Sequence, residues 1–509
     1  MAVAASSDMA AEAGVEVARK GGNAVDAAIA ATLASLTTET AVASIGGGGF
    51  VTVCTPDEVV VTVDGYVEMP GRGIPEERLG SGAPEVEMGY GGGVRTIIGP
   101  GSVATPGTLA ALDRAWERFG HLPWAELVEP ARRLAADGFP LTHPAHHYLL
   151  SSHDVIFGWH PEARRILHGD DGSLLEAGER VVIPDLAASL ELIGREGADP
   201  FYRGEIADRI AGHIQDTGGI LTRADLAAYE PEVREALIAD VDGWKVWTNP
   251  PPAIGGAVLV AMLLLMNGRP REAWSEEELS RLVRVQAAVL GFRARELNPS
   301  EDLMRDVPRL LEEGTLRELR RVAESGSTIH TSAVDSEGRA CSISASTGYG
   351  SGVVPPGTGI FLNNCLGEKE LNPRGLPSWP VGARLPSNMA PTVARGPDGS
   401  VLAVGSPGAG RITTALLQTL LNYLRLDMKL DQAMAHPRLH VEMEEDGRSY
   451  RVAHEPGVAV EGLDAETRPF DEISMFFGGV TAALWRPGDG FQVAADPRRV
   501  GGVAVHLAD

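Results

Sequence analysis

A layered α+β fold, with helices outside and antiparallel strands inside, is what this sequence predicts. Three observations carry the expectation: an early alternating hairpin, a helical middle over residues 105–216, and a run of strand-like segments after residue 328. Strands from both ends of the chain are thus available to one shared core. The chain has 509 residues, 44% of them hydrophobic and 22% charged, which is a globular composition. That length calls for several domains or one large layered fold. No internal repeat or long low-complexity stretch interrupts it.

The elements follow in order. Ser7 is placed to cap a helix through "DMAAEAGVEVARK", and Asn23 with Asp26 three residues on opens a second, "AVDAAIAATLASL". Four glycines, Gly46–Gly49, precede alternating strands at 50–53 and 59–63 that turn around "TPDE". "PGTLAALDRAWERFG" and "PWAELVEPARRLAADG" carry proline near the start and glycine at the end, the punctuation of helices. A strand, "GWKVWTNP", leads through "PPAIGG" into a buried helix from Ala257. Residues 269–326 are the most charged part and read as helical. After Thr328 come strands "TIHTSAV", "ACSISAS", "GIFLNN", "TVARG" and "VLAVG", then a helix "RITTALLQTLLNYL" and terminal strands around "VTAALW" and "GGVAVHLA".

The bulk numbers exclude whole classes of function. A formal net charge of -25 argues against nucleic-acid or anionic-membrane surfaces, which need clustered cations. Small molecules are the expected partners. Three cysteines in so long a chain do not indicate structural disulfides. No basic n-region with an apolar run opens the sequence, so a cytoplasmic location is the expectation. No Gly-Lys dipeptide occurs, which removes a Walker A loop, and Gly-x-Ser-x-Gly is missing too. His143, His146 and His147 in "HPAHH" lack a carboxylate partner at metal-site spacing and read as a solvated loop. No metal and no cofactor are assigned.

Three stretches together resemble the γ-glutamyltranspeptidase family of N-terminal nucleophile hydrolases: "EVARKGGNAVDAAIAATLASLTTETAVASIGGGGF", "STIHTSAVDSEGRACSIS" and "LPSNMAPTVARGPDGSVLAVGSPGAGRI". Shorter echoes, among them "VATPGTLAALDRAWERFG", "NPPPAIGGAVL" and "DPRRVGG", extend the likeness over nearly the whole chain in order. The resemblance implies a four-layer αββα sandwich. It also implies a proenzyme that cuts itself between Ser327 and Thr328, so that residues 1–327 form a large subunit and residues 328–509 a small one. The two fragments would remain together as a heterodimer that can dimerise further.

The chemistry explains why a chain would be cut there. A threonine hydroxyl is a poor nucleophile until a base takes its proton, and a free α-amine, with a pKa near 7.7–8.0, can be that base. Before cleavage the same nitrogen is an amide and cannot act. By resemblance, the amides of Gly408 and Ala409 form the oxyanion hole, with alanine where the family usually has glycine. Ser346 or Thr347 replaces a threonine whose hydroxyl supports the nucleophile. Ser387 and Asn388 correspond to a serine pair on the substrate carboxylate, and Glu368 to a carboxylate on the substrate ammonium.

One position departs sharply. Where the family has an arginine that clamps the glutamyl α-carboxylate, "DGYVEMPG" has Val67, which can supply none of that bidentate contact. Arg72 and Arg95 are the nearby candidates to replace it. The leading expectation is therefore a threonine hydrolase or acyltransferase acting on a γ-glutamyl-type amide through an acyl ester. The alternatives are a carbon-carbon bond hydrolase on a keto-acid side chain in an antibiotic alkylproline pathway, a glutaryl or cephalosporin-type acylase, and an inactive unprocessed scaffold.

Overall fold

A computed structural model describes residues 1–89, 93–267, 274–318, 329–376, 378–444, 446–499 and 501–507. The part of the chain before residue 327 supplies strands β1 (Ala2–Ala5), β2 (Gly48–Cys54), β3 (Val60–Gly65), β4 (Glu232–Glu235), β5 (Leu237–Val241) and β6 (Trp244–Thr248). The part after it supplies β7 (Ile329–Val334), β8 (Ala340–Ser346), β9 (Thr392–Arg395), β10 (Val401–Gly405), β11 (Thr481–Arg486), β12 (Gly490–Ala495) and β13 (Gly502–Val505). One seven-stranded sheet runs in the order β13-β1-β7-β8-β2-β3-β4 and a six-stranded sheet runs β12-β11-β10-β9-β6-β5. Every pairing within these two sheets is antiparallel.

The sheets pack face to face, with β7 and β8 against β10 and β11. Small side chains at that interface, among them Ala2, Ala340, Ala403 and Ala483, let the layers approach closely. Helices α1 (Asp8–Arg19) and α2 (Ala24–Thr38) cover the outer face of the first sheet. Every residue of α2 is buried, because the further helices Thr108–Phe119 and Trp124–Asp137 close over it. Helices α3 (Ile254–Met266), α4 (Glu276–Phe292) and α5 (Ile412–Leu420) form the layer outside the second sheet. The expected αββα sandwich is what the chain forms.

The local caps read from sequence are made. The Ser7 hydroxyl accepts from the Ala10 amide at 3.3 Å. Asn23 and Asp26 form a reciprocal capping box at the start of α2.

Other expectations need correction. "HPAHH" is not a loop: Thr142 caps a helix, His143–Ser152, that contains all three histidines. The buried helix starts at Ile254 rather than Ala257. Residues 359–364 make no strand; Leu362 forms only an isolated bridge with Gly46. A short apolar run without a neighbouring strand has nothing to pair with.

Candidate active site

Ser327 and Thr328 lie outside the described residues. The first described residue after them is Ile329. Ile329 opens β7 and stands opposite Ala345 of β8, and Ser346 is the last residue of β8. Strand alternation turns His330 and Ser332 inward, toward the second sheet. His330 is fully buried, with its ring nitrogens on the hydroxyls of Ser344 (2.8 Å) and Ser332 (2.9 Å). Burial pulls its pKa down to about 3, so the ring stays neutral.

Gly405, the last residue of β10, faces that ring from the other sheet. A Cβ there would lie 2.2 Å from His330 Cε1, a distance only glycine escapes. This contact sets the turn 406–411 beside the start of β7. Pro407 and Gly408 lead into a single 3-10 turn, Ala409–Arg411, and then into α5. A second loop braces the turn. Gly408 packs on Gly478, the Gly479 amide donates to Ser406 Oγ at 3.2 Å, and Arg411 Nε donates to the Phe476 carbonyl at 2.9 Å.

The two hydroxyl candidates at the end of β8 are separated by the pleat. Ser346 shares the inward face of Ser344, and its Oγ accepts from the Gly348 amide at 3.0 Å. Thr347 points the other way and donates to the Val42 carbonyl at 3.1 Å. Of the pair, only Ser346 is on the side of the turn 406–411.

The substrate-binding candidates gather on a ribbon formed where β3 ends. Met69 N donates to Ala383 O (2.9 Å) and Leu385 N to Val67 O (3.0 Å), which brings Val67 alongside the segment that carries Ser387 and Asn388. Val67 is completely buried. The start of α3 fastens this segment: the Ile254 and Gly255 amides both donate to the Ser387 carbonyl, at 2.9 and 3.0 Å. Gly255 is pressed so closely onto Asn388 that a Cβ would sit 2.1 Å from its carbonyl oxygen. Glu368 is buried against Gly348, where a Cβ would be 2.9 Å from Glu368 Oε1. Burial, with Glu370 beside it, pushes the Glu368 carboxyl well up from its ordinary value.

Neither proposed arginine is held ready for a substrate. Arg72 is committed to Asp225 at 3.2 Å and lies 3.7 Å from Glu68. Arg95 stands on an outlying hairpin, Glu85–Met88 with Val94–Ile97, is 70% exposed and pairs with Glu87. Asp225, which pairs with Arg72, arrives from far along the chain. The cation at the ribbon is Arg384, which sequence reading missed. It donates to the Tyr66 carbonyl at 2.8 Å, lies near Asp64 (3.5 Å) and Glu68 (3.3 Å), and stacks on Tyr229. Its charge is thereby spent inside the protein. Tyr66 and Cys365, also missed, sit between Ser387 and Glu368. Among the described residues no group of three or more His, Cys, Asp or Glu side chains is arranged to hold a metal ion, and no helix is long and apolar enough to cross a membrane.

Comparison with known proteins supplies the family. The family model described as γ-glutamyltranspeptidase matches residues 10–506. The glutathione hydrolase proenzyme of Pseudomonas aeruginosa is 30% identical over 532 aligned residues, covering 98% of this chain and 93% of that protein. The acylase ACY 1 proenzyme of Pseudomonas sp. (strain SE83) is 30% identical over 460, covering 85% of this chain and 81% of that protein. Among solved structures, cephalosporin acylase from Bacillus halodurans superposes with a TM-score of 0.81 at 24% identity over 100% of this chain and 96% of that one, a likeness of fold. With a family match from end to end and an αββα sandwich to go with it, this chain belongs to the γ-glutamyltranspeptidase family.

Proposed function

We propose that the chain is a proenzyme that cuts its own Ser327–Thr328 bond, leaving residues 1–327 and 328–509 associated, and that Thr328 then opens an amide of a small acyl donor. The observation that carries this reading is the contact of Gly405 with the His330 ring, which holds the Gly408–Ala409 turn beside the strand that Thr328 would lead.

In the reaction, the Thr328 α-amine takes the hydroxyl proton while Oγ attacks the donor carbonyl. The amides of Gly408 and Ala409 donate to the oxyanion, and a single donor of this kind is worth about 3–4 kcal/mol of barrier. Collapse breaks the C–N bond, and the protonated α-amine returns its proton to the departing amine. The acyl ester on Thr328 is then taken by water or by an acceptor amine, with the α-amine again serving as base. Ser346 supports the nucleophile; Ser387, Asn388 and Glu368 bind the far end of the acyl group.

The relatives named glutathione hydrolase and acylase support γ-glutamyl amides and acyl amides as donor classes. The buried Val67 and the internally neutralised Arg384 favour the acylase side of that range, since Val67 offers no guanidinium and the charge of Arg384 is already paired with Asp64 and Glu68. Three unpaired, buried cysteines support work in the cytoplasm.

Denaturing electrophoresis and intact mass test the reading. Two fragments that begin at residues 1 and 328 are expected from the purified protein, with a covalent acyl adduct on the second after brief exposure to a γ-glutamyl or glutaryl anilide. Thr328→Ala stays whole and inactive. A wild-type protein that remains a single chain and hydrolyses neither anilide overturns it.

A further inference from the structure

The motif "DPRRVGG", which the reaction leaves unused, delivers Asp496 and Arg498 to a cluster of four charged side chains whose other members are Arg438 and Glu455. None of the four is more than 6% exposed. Asp496 lies 2.5 Å from Arg438 Nη2 and 3.0 Å from Arg498 Nη1. Arg498 also forks onto Glu455, through Nε at 2.7 Å and through Nη2. Two cations thus meet two anions far from water.

Burying ions is expensive, and an apolar cluster of the same volume is often at least as stable. What an apolar cluster lacks is direction. Here the groups left over from ion pairing reach the backbone of one short segment, residues 474–480. Glu455 accepts from the Ser474 amide at 2.9 Å, Arg438 Nη1 donates to the Phe477 carbonyl at 3.1 Å, and Asp496 accepts from the Val480 amide at 3.0 Å. The Asp496 amide returns a bond to the Val480 carbonyl at 2.9 Å. The segment is therefore pinned at its first, middle and last residues.

The residues between those pins meet the turn 406–411. The Phe476 carbonyl accepts from Arg411 Nε at 2.9 Å, and the Gly479 amide donates to Ser406 Oγ at 3.2 Å. Gly478 fits so tightly that a Cβ on it would lie 2.8 Å from Ser406 Oγ, and a Cβ on Gly408 would lie 2.5 Å from Gly478 Cα. Both glycines have φ in the left-handed region, 84° at Gly478 and 130° at Gly408. One side of the segment is held by buried ions and the other is shaped to the turn.

We propose that Arg438, Glu455, Asp496 and Arg498 are positioning residues for the oxyanion donors: they fix segment 474–480, and the segment fixes the amides of Gly408 and Ala409. The proposal rests on the reading above that these two amides meet the oxyanion. Such donors act on the transition state more than on bound substrate, so moving them lowers kcat and leaves KM in place.

The test replaces Arg438 with lysine, which keeps a positive charge beside Asp496 and gives up the fork that spans Asp496 and the Phe477 carbonyl. Matured Arg438→Lys enzyme is expected to lose about tenfold or more in kcat on a glutaryl anilide, with KM within about twofold. Val128→Ala is the control for a merely structural loss, since Val128 is buried in the helix Trp124–Asp137 on the far side of the sandwich. It lowers Tm and keeps kcat within about twofold.

Hydrogen exchange supplies a readout without turnover, and in the Thr328→Ala background no variant needs to mature. Arg438→Lys is expected to speed exchange at 474–480 and at 406–411 together, with β7 and β8 unchanged, and Asp496→Asn to do the same more weakly. Exchange at 406–411 that stays at the wild-type rate, or a wild-type kcat in matured Arg438→Lys, overturns the proposal. Gly408→Ala separates it from the reading beneath: a matured Gly408→Ala enzyme with wild-type kcat removes the oxyanion assignment itself. A slow Gly408→Ala enzyme beside a fast Arg438→Lys enzyme overturns only the positioning role.

Discussion

Replacing Gly255 with alanine should damage catalysis while leaving the fold and the maturation of the chain intact. Gly255 lies in the first turn of α3, and an added Cβ would meet Asn388 O at 2.1 Å and Asn388 C at 2.4 Å. Real Cβ atoms essentially never come within 3.0 Å of such a neighbour. Helix and segment must therefore part by roughly 1 Å, and overpacking of this kind costs about 1–3 kcal/mol. Both partners are backbone, so no side chain can swing aside. The helix is buried along most of its length, whereas residues 386–388 connect a ribbon to a strand. The connection is the element that yields. Ser387 and Asn388 then shift by much of that 1 Å, and a displacement of this size costs about 100-fold in rate, or about 2.7 kcal/mol of transition-state stabilisation. The assay is kcat/KM on fully matured protein, with thermal unfolding alongside. Gly212→Ala is the control, since a Cβ at Gly212 meets nothing within 4 Å and the added methyl favours its helix. A Gly255→Ala enzyme within about threefold of wild type would show that Ser387 and Asn388 do not position the acyl donor.

Two further expectations concern the strands themselves. Ser346→Ala should lower kcat by about tenfold or more, whereas Thr347→Val should leave kcat within about twofold and cost only about 1 kcal/mol of stability through the lost bond to Val42; the opposite pattern in steady-state kinetics refutes the assignment. His330, held near pKa 3 by burial, returns to about 6.5 when the chain unfolds. The unfolded chain then binds a proton that the folded chain refuses, so this residue takes stability away as pH falls from about 6.5 toward about 3. Urea unfolding of His330→Asn across that window should show a slope against pH shallower by up to one proton, and an unchanged slope would falsify the burial argument.

Much of the fold was legible because its signals are local. Ser7, Asn23 and Asp26 cap the helices that their spacing announces, and the alternation around "TPDE" is that of β2 and β3. Local signals also misled. "GIFLNN" is a short apolar run of the kind a buried strand shows, but such a run cannot say whether a partner strand is present. "HPAHH", which reads as a solvated loop, carries its own helix start at Thr142. At the candidate site, the residues that depend on distant partners were the ones missed. Arg72 is close to Val67 in sequence, yet Asp225 claims it. Tyr66 and Cys365 meet only through a fold that brings the end of β3 to the loop after β8. The glycines of "AIGG" were the one overlooked clue, since two in a row at a helix start signal close backbone approach.

The edge of the seven-stranded sheet brings the two ends of the described chain together. β1 lies between β7 and β13, and the Met1 amine donates to the His506 carbonyl at 2.8 Å. A few residues of linker would therefore close the chain into a ring without disturbing a strand. Reopening that ring between Ser327 and Thr328 yields a permuted chain in which Thr328 follows the initiator methionine. Trimming that methionine would expose the α-amine with no peptide bond left to cut. Topologically, then, the molecule can be rebuilt as a single polypeptide that is competent from its first residue, and the act of self-cleavage can be studied apart from the catalysis it is proposed to prepare.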